Sequence, residues 1–194
     1  MGKTIENLVK AFVGESQARN RYTMYSSIAR KEGYEQISAI FAETADNETE
    51  HAEWFFRMAN ELNKASTEKL NEMNVEAAAP LISGDTAENL KAAVAGEHFE
   101  ASVLYPEFAD IAESEGHKEM SVRIRAISVS EAHHEARYKE LLQNVEQSSV
   151  FKKGQKVYWI CRKCGYVYEG TEPPASCPSC GHAESYFQVL VEKY

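Results

Sequence analysis

Four stretches of this 194-residue chain carry apolar side chains at the three- and four-residue steps of a helix that buries one face. The first runs from about Thr4 to Arg30, with Ile5, Leu8, Phe12, Glu15 and Tyr22 on its stripe; Gly33 follows as a stop that tolerates positive φ. The second starts near Gln36 and aligns Ile37, Phe41, Glu48, His51, Phe55 and Leu62. The third follows Asp85, which forms a capping-box pair with Glu88; it aligns Leu90, Val94, Glu97, Glu100, Leu104 and Ile111, and Gly116 closes it. The fourth steps through Met120, Ile124, Ile127, Glu131, His134, Tyr138, Leu141 and Val145. Pro106 falls inside the third stretch, removes a backbone hydrogen bond and predicts a kink or bulge just past Glu100. Residues 64–84, with Pro80 and Gly84, lack a stripe. Short loops within each half and one long link between them predict a four-helix bundle of two antiparallel pairs joined by a crossover.

After Gln147 the pattern changes. SSVFKKGQK reads as a linker, VYWICRKCGYVYEG as strand-rich, TEPPAS as a turn, and SYFQVLVEKY as a strand-like end. The expected division is a bundle over 1–147, a linker over 148–156 and a small β-rich unit over 157–194. The last unit is too short to bury a good core alone, so a metal staple is expected.

The apolar stripes also carry acids. A bare carboxylate on a core face costs several kcal/mol of desolvation unless it is paired or neutralised. Glu15 precedes Glu48-x-x-His51 by 48−15 = 33 residues, and Glu97 precedes Glu131-x-x-His134 by 131−97 = 34. Residues three apart share a helix face. A bundle built from these halves therefore points two lone glutamates and two E-x-x-H pairs at one interior spot, the donor pattern of dinuclear carboxylate sites. Glu97-x-x-Glu100 adds a further acid. Carboxylate with imidazole favours iron or manganese over structural zinc, so a redox role is expected. Tyr22 and Tyr105 lie near enough along the same faces to hydrogen-bond ligand carboxylates, or to be ordinary core tyrosines. His98, His117, His133 and His182 do not fit the site and read as surface or capping residues.

Cys161-x-x-Cys164-Gly and Cys177-x-x-Cys180-Gly are two metal knuckles that use all four cysteines. The spacing leaves zinc and iron both open. Tyr158, Trp159, Tyr166, Tyr168, Tyr186 and Phe187 are expected to pack around them.

Net charge is −9; residues 151–194 carry six basic and four acidic groups, or +2, leaving −11 for the first 150. Nucleic acid is therefore not expected as a partner. No apolar run approaches the ~20 residues of a membrane span, and MGKTIENLVK has no signal core. With no cysteine left over for a disulfide framework, the expected compartment is the reducing cytoplasm.

GESQARNRY (14–22), FAETADNETEH (41–51), GEHFEASVLYPEFA (96–109) and SEAHHE (130–135), followed by the CxxCG/CPxCG tail, resemble the rubrerythrin family over nearly the whole chain. The resemblance implies a mainly α fold, a ferritin-like four-helix bundle followed by a β-rich rubredoxin-like domain. It implies two non-haem irons held by Glu15, Glu48, His51, Glu97, Glu100, Glu131 and His134, with Tyr22 and Tyr105 behind them, and one iron, with zinc as a substitute, on Cys161, Cys164, Cys177 and Cys180. Glu100 and His51 would be the ligands that exchange between oxidation states. The implied activity is a peroxidase reducing hydrogen peroxide to water in oxidative-stress defence. Electrons would come ultimately from NAD(P)H, through a rubredoxin or a flavoprotein reductase, and the implied assembly is a homodimer or larger. The competing readings are a ferroxidase or iron-storage protein of the ferritin kind, and a zinc-ribbon tail that recruits a protein partner.

Overall fold

The computed structural model describes residues 2–192; the final two positions of the strand-like end expected to reach Tyr194 lie outside the described residues. The bundle is built from α1 (Lys3–Lys31), α2 (Glu35–Ala65), α3 (Thr86–Phe99), a π-helical turn (Glu100–Leu104), α4 (Tyr105–Ser114) and α5 (Lys118–Glu146). The expected caps are in place. Gly33 and Gly116 take φ of +86° and +90° after α1 and α4. At α3 the Asp85 carboxylate accepts from Glu88 N, and Glu88 Oε2 accepts from Asp85 N. The third stripe is one interrupted rod. Pro106 sits in the first turn of α4, and the backbone ahead of it widens into the π turn, so the disruption falls just past Glu100 as the proline predicts.

Two apolar layers sandwich the polar middle of the bundle. One holds Leu8, Phe55, Tyr105, Phe108 and Ile124; the other holds Tyr22, Tyr25, Ile37, Phe41, Leu90 and Tyr138. Between the pairs, residues 66–85 cross over outside the helices. Asn63 anchors the start of this segment through Nδ2 to Leu70 O (2.8 Å) and Oδ1 from Leu70 N (2.9 Å), while Gln17 Nε2 donates to Ala78 O (2.8 Å) and Tyr25 OH to Ile82 O (2.7 Å) further on.

The C-terminal unit is a three-stranded antiparallel sheet in the order β2-β1-β3, from β1 (Val157–Cys161), β2 (Val167–Gly170) and β3 (Phe187–Val189). Its core is Trp159, Cys161, Cys177 and Phe187, with Tyr166 and Tyr186 packed against it. Tyr158 and Tyr168 are not in that core. Strand alternation turns Tyr158 to the opposite face from Trp159, and Tyr168, which pairs with Trp159, lies on the edge strand β2; both tyrosines are exposed. The expected linker is anchored: Phe151 stacks on Tyr34 (6.2 Å, 9° between planes), and Lys153 Nζ donates to Asn144 Oδ1 (2.8 Å). These contacts seat the small unit at the end of the bundle where α1 turns into α2.

Candidate metal centres

Each half of the bundle delivers the same three donors to one level. Glu15 comes from α1 with Glu48 and His51 from α2; Glu97 comes from α3 with Glu131 and His134 from α5. His51 Nδ1 lies 2.9 Å from both Glu48 Oε2 and Glu131 Oε1. His134 Nδ1 lies 2.9 Å from Glu131 Oε2, 3.3 Å from Glu48 Oε1 and 3.4 Å from Glu97 Oε2. The donor atoms fall into two overlapping groups, Glu15/Glu48/His51/Glu131 and Glu48/Glu97/Glu131/His134, each spanning no more than 4.8 Å. Glu48 and Glu131 belong to both and turn one oxygen towards each histidine. That is how two carboxylates bridge a pair of cations.

A metal pair fits this donor set on the polar bookkeeping. Glu15, Glu48, Glu97 and Glu131 are at most 1% exposed. Glu15 Oε2, Glu48 Oε1, Glu97 Oε2, both Glu131 oxygens and His134 Nδ1 are buried with no hydrogen-bond partner of acceptable geometry. A native interior rarely leaves such atoms unsatisfied. The ionisation equilibria agree. Burial, reinforced by neighbouring carboxylates, pushes Glu15 and Glu100 well above the usual carboxyl range. Burial likewise raises Glu97 to about 7, against the pull of His134. At Glu48 burial acts upward but is outweighed by His134 and His51, and the carboxyl falls to about 2. Burial acts downward on the histidines, yet Glu131 and Glu48 carry His51 up to about 10, and the same two with Glu97 carry His134 up to about 12. Without cations the cluster must hold protons on both imidazoles and on some carboxyls; metal ions would replace them.

The two tyrosines cross between halves. Tyr22 OH, from α1, donates to Glu97 Oε1 on α3 at 2.5 Å, and Tyr105 OH, from α4, donates to Glu15 Oε1 on α1. Both rings are buried. Burial, then the carboxylate each one faces, raises their phenols well above the usual range, so each holds its proton against its glutamate. Glu100 is different. It opens the π turn, belongs to neither donor group, is half-buried, and lines a cavity with Gly14, Gly96 and Arg21. His98 is exposed and pairs with Glu135 (3.0 Å), His117 precedes α5, and His133 lines a cleft beside His51 and His134. Tyr138, assigned above only to the apolar stripe, is a buried phenol whose ring packs on Tyr22 (5.5 Å) and Phe41 (5.0 Å) under the cluster. Its stripe position gave no signal beyond core.

In the small unit the knuckles repeat one geometry. Gly165 N donates to Cys161 O and Gly181 N to Cys177 O, both at 2.8 Å, with the glycines at φ +79° and +75°. Those turns aim Tyr166 N–H at Cys164, the first cause of its thiol falling to about 6. His182 N–H acts in the same sense on Cys180, but burial and the neighbouring thiols push that group up to about 12. Four thiolates cannot all ionise here without a cation. Cys161 Sγ lies 3.8 Å from Cys180 Sγ, and Cys164 Sγ 3.7 Å from Cys177 Sγ. A tetrahedron with metal–sulfur arms of ~2.3 Å has edges of about 3.8 Å. The sulfurs are therefore set for one tetrahedral ion.

The family model described as rubrerythrin matches residues 6–142, and that of the rubrerythrin rubredoxin-like domain matches residues 159–188. The chain is 54% identical to a putative rubrerythrin of Methanocaldococcus jannaschii, over all of this chain and 96% of the relative. It is 48% identical to a rubrerythrin of Clostridium perfringens (99% and 96% covered) and 43% identical to one of Nitratidesulfovibrio vulgaris (97% and 94%). Among solved structures it superposes on fully reduced, all-ferrous nigerythrin with a TM-score of 0.64 at 27% identity, over 98% of this chain and 88% of that one. Dithionite-reduced symerythrin of Cyanophora paradoxa shares the fold at a TM-score of 0.58 and 21% identity, over 72% and 83%. The bundle thus carries a carboxylate–histidine di-iron site, and the tail a four-cysteine rubredoxin-like site. With identity running end to end across both sites in the same order, the assignment follows: the chain belongs to the rubrerythrin family.

Proposed function

We propose that the protein is a non-haem di-iron peroxidase that reduces hydrogen peroxide to water, with electrons entering through the four-cysteine iron centre. The family is one of oxidoreductases. The observation that carries the finer reading is a buried cluster with two shared carboxylates, flanked by two proton-holding tyrosines, in the same chain as a four-thiolate site. The ligands would be Glu15, Glu48, His51, Glu97, Glu131 and His134, with Glu100 joining when it swings in from the π turn, and Cys161, Cys164, Cys177 and Cys180 for the second centre. A ferrous pair held by these residues would supply the two electrons for splitting the O–O bond. The reaction, H2O2 + 2e⁻ + 2H⁺ → 2H2O, also needs two protons. Tyr22 and Tyr105 hold one each at Glu97 Oε1 and Glu15 Oε1. Glu48 and Glu131 each turn one oxygen towards His51 and the other towards His134, so they would hold a metal pair between the halves. The apolar layers above and below shield the cluster at both of its ends along the bundle.

The working assembly in this proposal is a homodimer or larger, in which the four-cysteine unit of one chain serves the cluster of another. Within a chain that unit packs at the Gly33–Tyr34 turn. Glu48 lies 14 residues further along α2, about 21 Å at 1.5 Å per residue. The donor would be a rubredoxin or an NAD(P)H-dependent flavoprotein, and the compartment the cytoplasm, where free thiols stay reduced. Among the described residues no helix is long and apolar enough to cross a membrane. The boundaries proposed for the units remain 1–147, 148–156 and 157–194.

The test mixes fully reduced protein anaerobically with one equivalent of hydrogen peroxide, and separately with oxygen, following the ferric–thiolate colour by stopped flow. Fast return of colour with peroxide and slow return with oxygen is the expected result. The reverse order would establish ferroxidase chemistry instead. Cys161→Ser should abolish donor-driven turnover with the di-iron site still loaded; unchanged turnover would remove the electron-entry role.

A further inference from the structure

Two glycines of the bundle are not explained by its backbone. Gly14 and Gly96 immediately precede the lone glutamate of each half, Glu15 and Glu97, and both lie inside helices. Neither has the positive φ that requires glycine. Nor does crowding require it: a Cβ on Gly14 would meet only Glu100 Oε1, at 4.0 Å, and a Cβ on Gly96 nothing within 4 Å. Alanine at either position would strengthen its helix. Stability therefore argues against both residues, and both face the same space.

That space is a cavity of about 230 Å³ between α1, α3 and the π turn. Gly14 of α1 and Gly96 of α3 line it with Glu100 and Leu104 of the π turn, and Ala78 and Pro80 bring the crossover over it as a roof. The volume has room for several waters. The roof is tied down where it covers the cavity: Gln17 Nε2 donates to Ala78 O (2.8 Å), and Gln17 Oε1 accepts from Arg21 Nη1 (2.9 Å). Arg21 also lines the cavity, so a cation and a carboxylate face its interior. The other approach to the cluster is the cleft between α2 and α5, lined by Val129, Ser130, His133 and both cluster histidines.

We propose that the roofed cavity is the passage by which hydrogen peroxide reaches the carboxylate–histidine cluster, and that Gly14 and Gly96 lack side chains in order to keep it open. The identity of the guest rests on the peroxidase reading; the passage itself admits any molecule of that size and polarity. The sequence carries the same device twice, a glycine before each lone glutamate, and both glycines line the one cavity.

The test uses the full-length, iron-loaded diferric protein and azide as a small probe whose binding is read by absorbance, so entry is measured apart from turnover. Gly96→Leu should slow azide association and peroxide reduction tenfold or more, with the parent's iron content and four-cysteine colour. Gly14→Ala and Gly96→Ala should raise Tm, confirming that glycine is not there for stability. Val129→Trp, in the other cleft, should leave azide association within twofold of the parent. Gly96→Leu protein with full iron that takes up azide at the parent rate overturns the proposal, as does a large slowing by Val129→Trp alone. Should Gly96→Leu fail to fold, Gln17→Ala gives a second measure. Releasing the roof should speed amide exchange over residues 76–79 and raise the azide association rate; faster exchange without faster entry overturns the proposal. A parent that admits azide by this route but does not reduce peroxide would end the peroxidase reading and leave the passage standing.

Discussion

Deleting one residue from the middle of a core helix ordinarily rotates everything beyond it by 100°. Deleting Ala101 here should not. In the first half Tyr22 follows Glu15 by 22−15 = 7 residues. Seven α-helical steps make 700°, about 20° short of two turns. In the second half Tyr105 follows Glu97 by 105−97 = 8. Eight α-helical steps would carry it about 80° past two turns, away from its partner. Yet Tyr105 reaches Glu15 as Tyr22 reaches Glu97, because the π turn over Glu100–Leu104 absorbs one residue. The same residue accounts for the 34-residue gap in the second half against 33 in the first. Removing Ala101 should restore a plain α-helix with the seven-residue spacing. Buried Tyr105, Phe108, Ala109 and Ala112 would keep their faces, and both donor groups would survive. The expected outcome is a folded protein that still loads iron, with Tm within ~4 °C of the parent, a shift of roughly 1 kcal/mol. Peroxide reduction should fall at least tenfold, because Glu100 loses the wide turn that places it beside the cavity. Inserting an alanine at the same point is the control; it rotates the four buried residues by a full step and should prevent folding. Thermal melts, iron analysis and stopped-flow kinetics on the pair decide the matter. A deletion variant that cannot fold or load iron would refute the register argument.

Other expectations follow from the cluster itself. Tyr105→Phe keeps the ring packing on Phe55 (5.2 Å) but leaves Glu15 Oε1 buried without its donor. It should cost about 2 kcal/mol, a Tm fall of roughly 4–8 °C, and slow peroxide reduction; a variant matching the parent in both would remove the proton-holding role. Metal-stripped protein should lose stability as pH rises. Glu15 and Glu97 have folded pKa values above their unfolded ones, so their contribution is complete below about 4.5 and is lost as pH climbs through about 7 for Glu97. His51 and His134 act in the same direction, losing theirs through about 10 and about 12. Glu48 acts oppositely and only in acid, between about 4.5 and about 2. Chelated samples should therefore be less stable to denaturant at pH 8 than at pH 5 by an amount on the order of a few kcal/mol. Iron-loaded samples should not, since metal has displaced those protons; a chelated protein most stable at pH 8 would contradict the charge assignment. Asp85→Ala should cost about 1 kcal/mol through loss of the capping box at α3, read by denaturant midpoint.

Much of this was legible in the residues because one periodicity served two purposes. The apolar steps that make each helix bury a face also place Glu15, Glu48, Glu97, Glu131 and both histidines on that face, so helix and site are read in one pass. The tetrathiolate was legible because its turn chemistry is local: glycine after the second cysteine supplies the positive φ each knuckle needs. What was not legible depends on tertiary placement. The tyrosines pair with the glutamate of the opposite half, a choice no spacing within a helix expresses. Residues 76–80 have no period to read, and only packing shows that they roof a cavity. Aromatic character alone marks Tyr158 and Tyr168 as core, but strand alternation turns Tyr158 outward and Tyr168 lies on the edge strand β2.

The bundle is nearly a repeat of itself, and the departures from the repeat are where its chemistry differs. Lone glutamate, preceding glycine, E-x-x-H and cross-half tyrosine all occur twice. Three residues past the lone glutamate the halves part: Ala18 in one, buried and inert, and Glu100 in the other, half-buried and opening a π turn. A symmetric cluster offers both metals the same surroundings, so neither has a reason to respond differently to a change of charge. An added carboxylate on one side, standing off the donor groups at the edge of a cavity, breaks that equivalence. Ala18→Glu would test it from the other direction. The new acid would sit in an unbroken α-helix among buried apolar neighbours, so it should bury an unpaired charge and destabilise the protein by several kcal/mol without changing peroxide reduction in what still folds. A stable Ala18→Glu protein with altered turnover would show that the carboxylate alone, rather than the turn and cavity that house it, makes the difference between the halves.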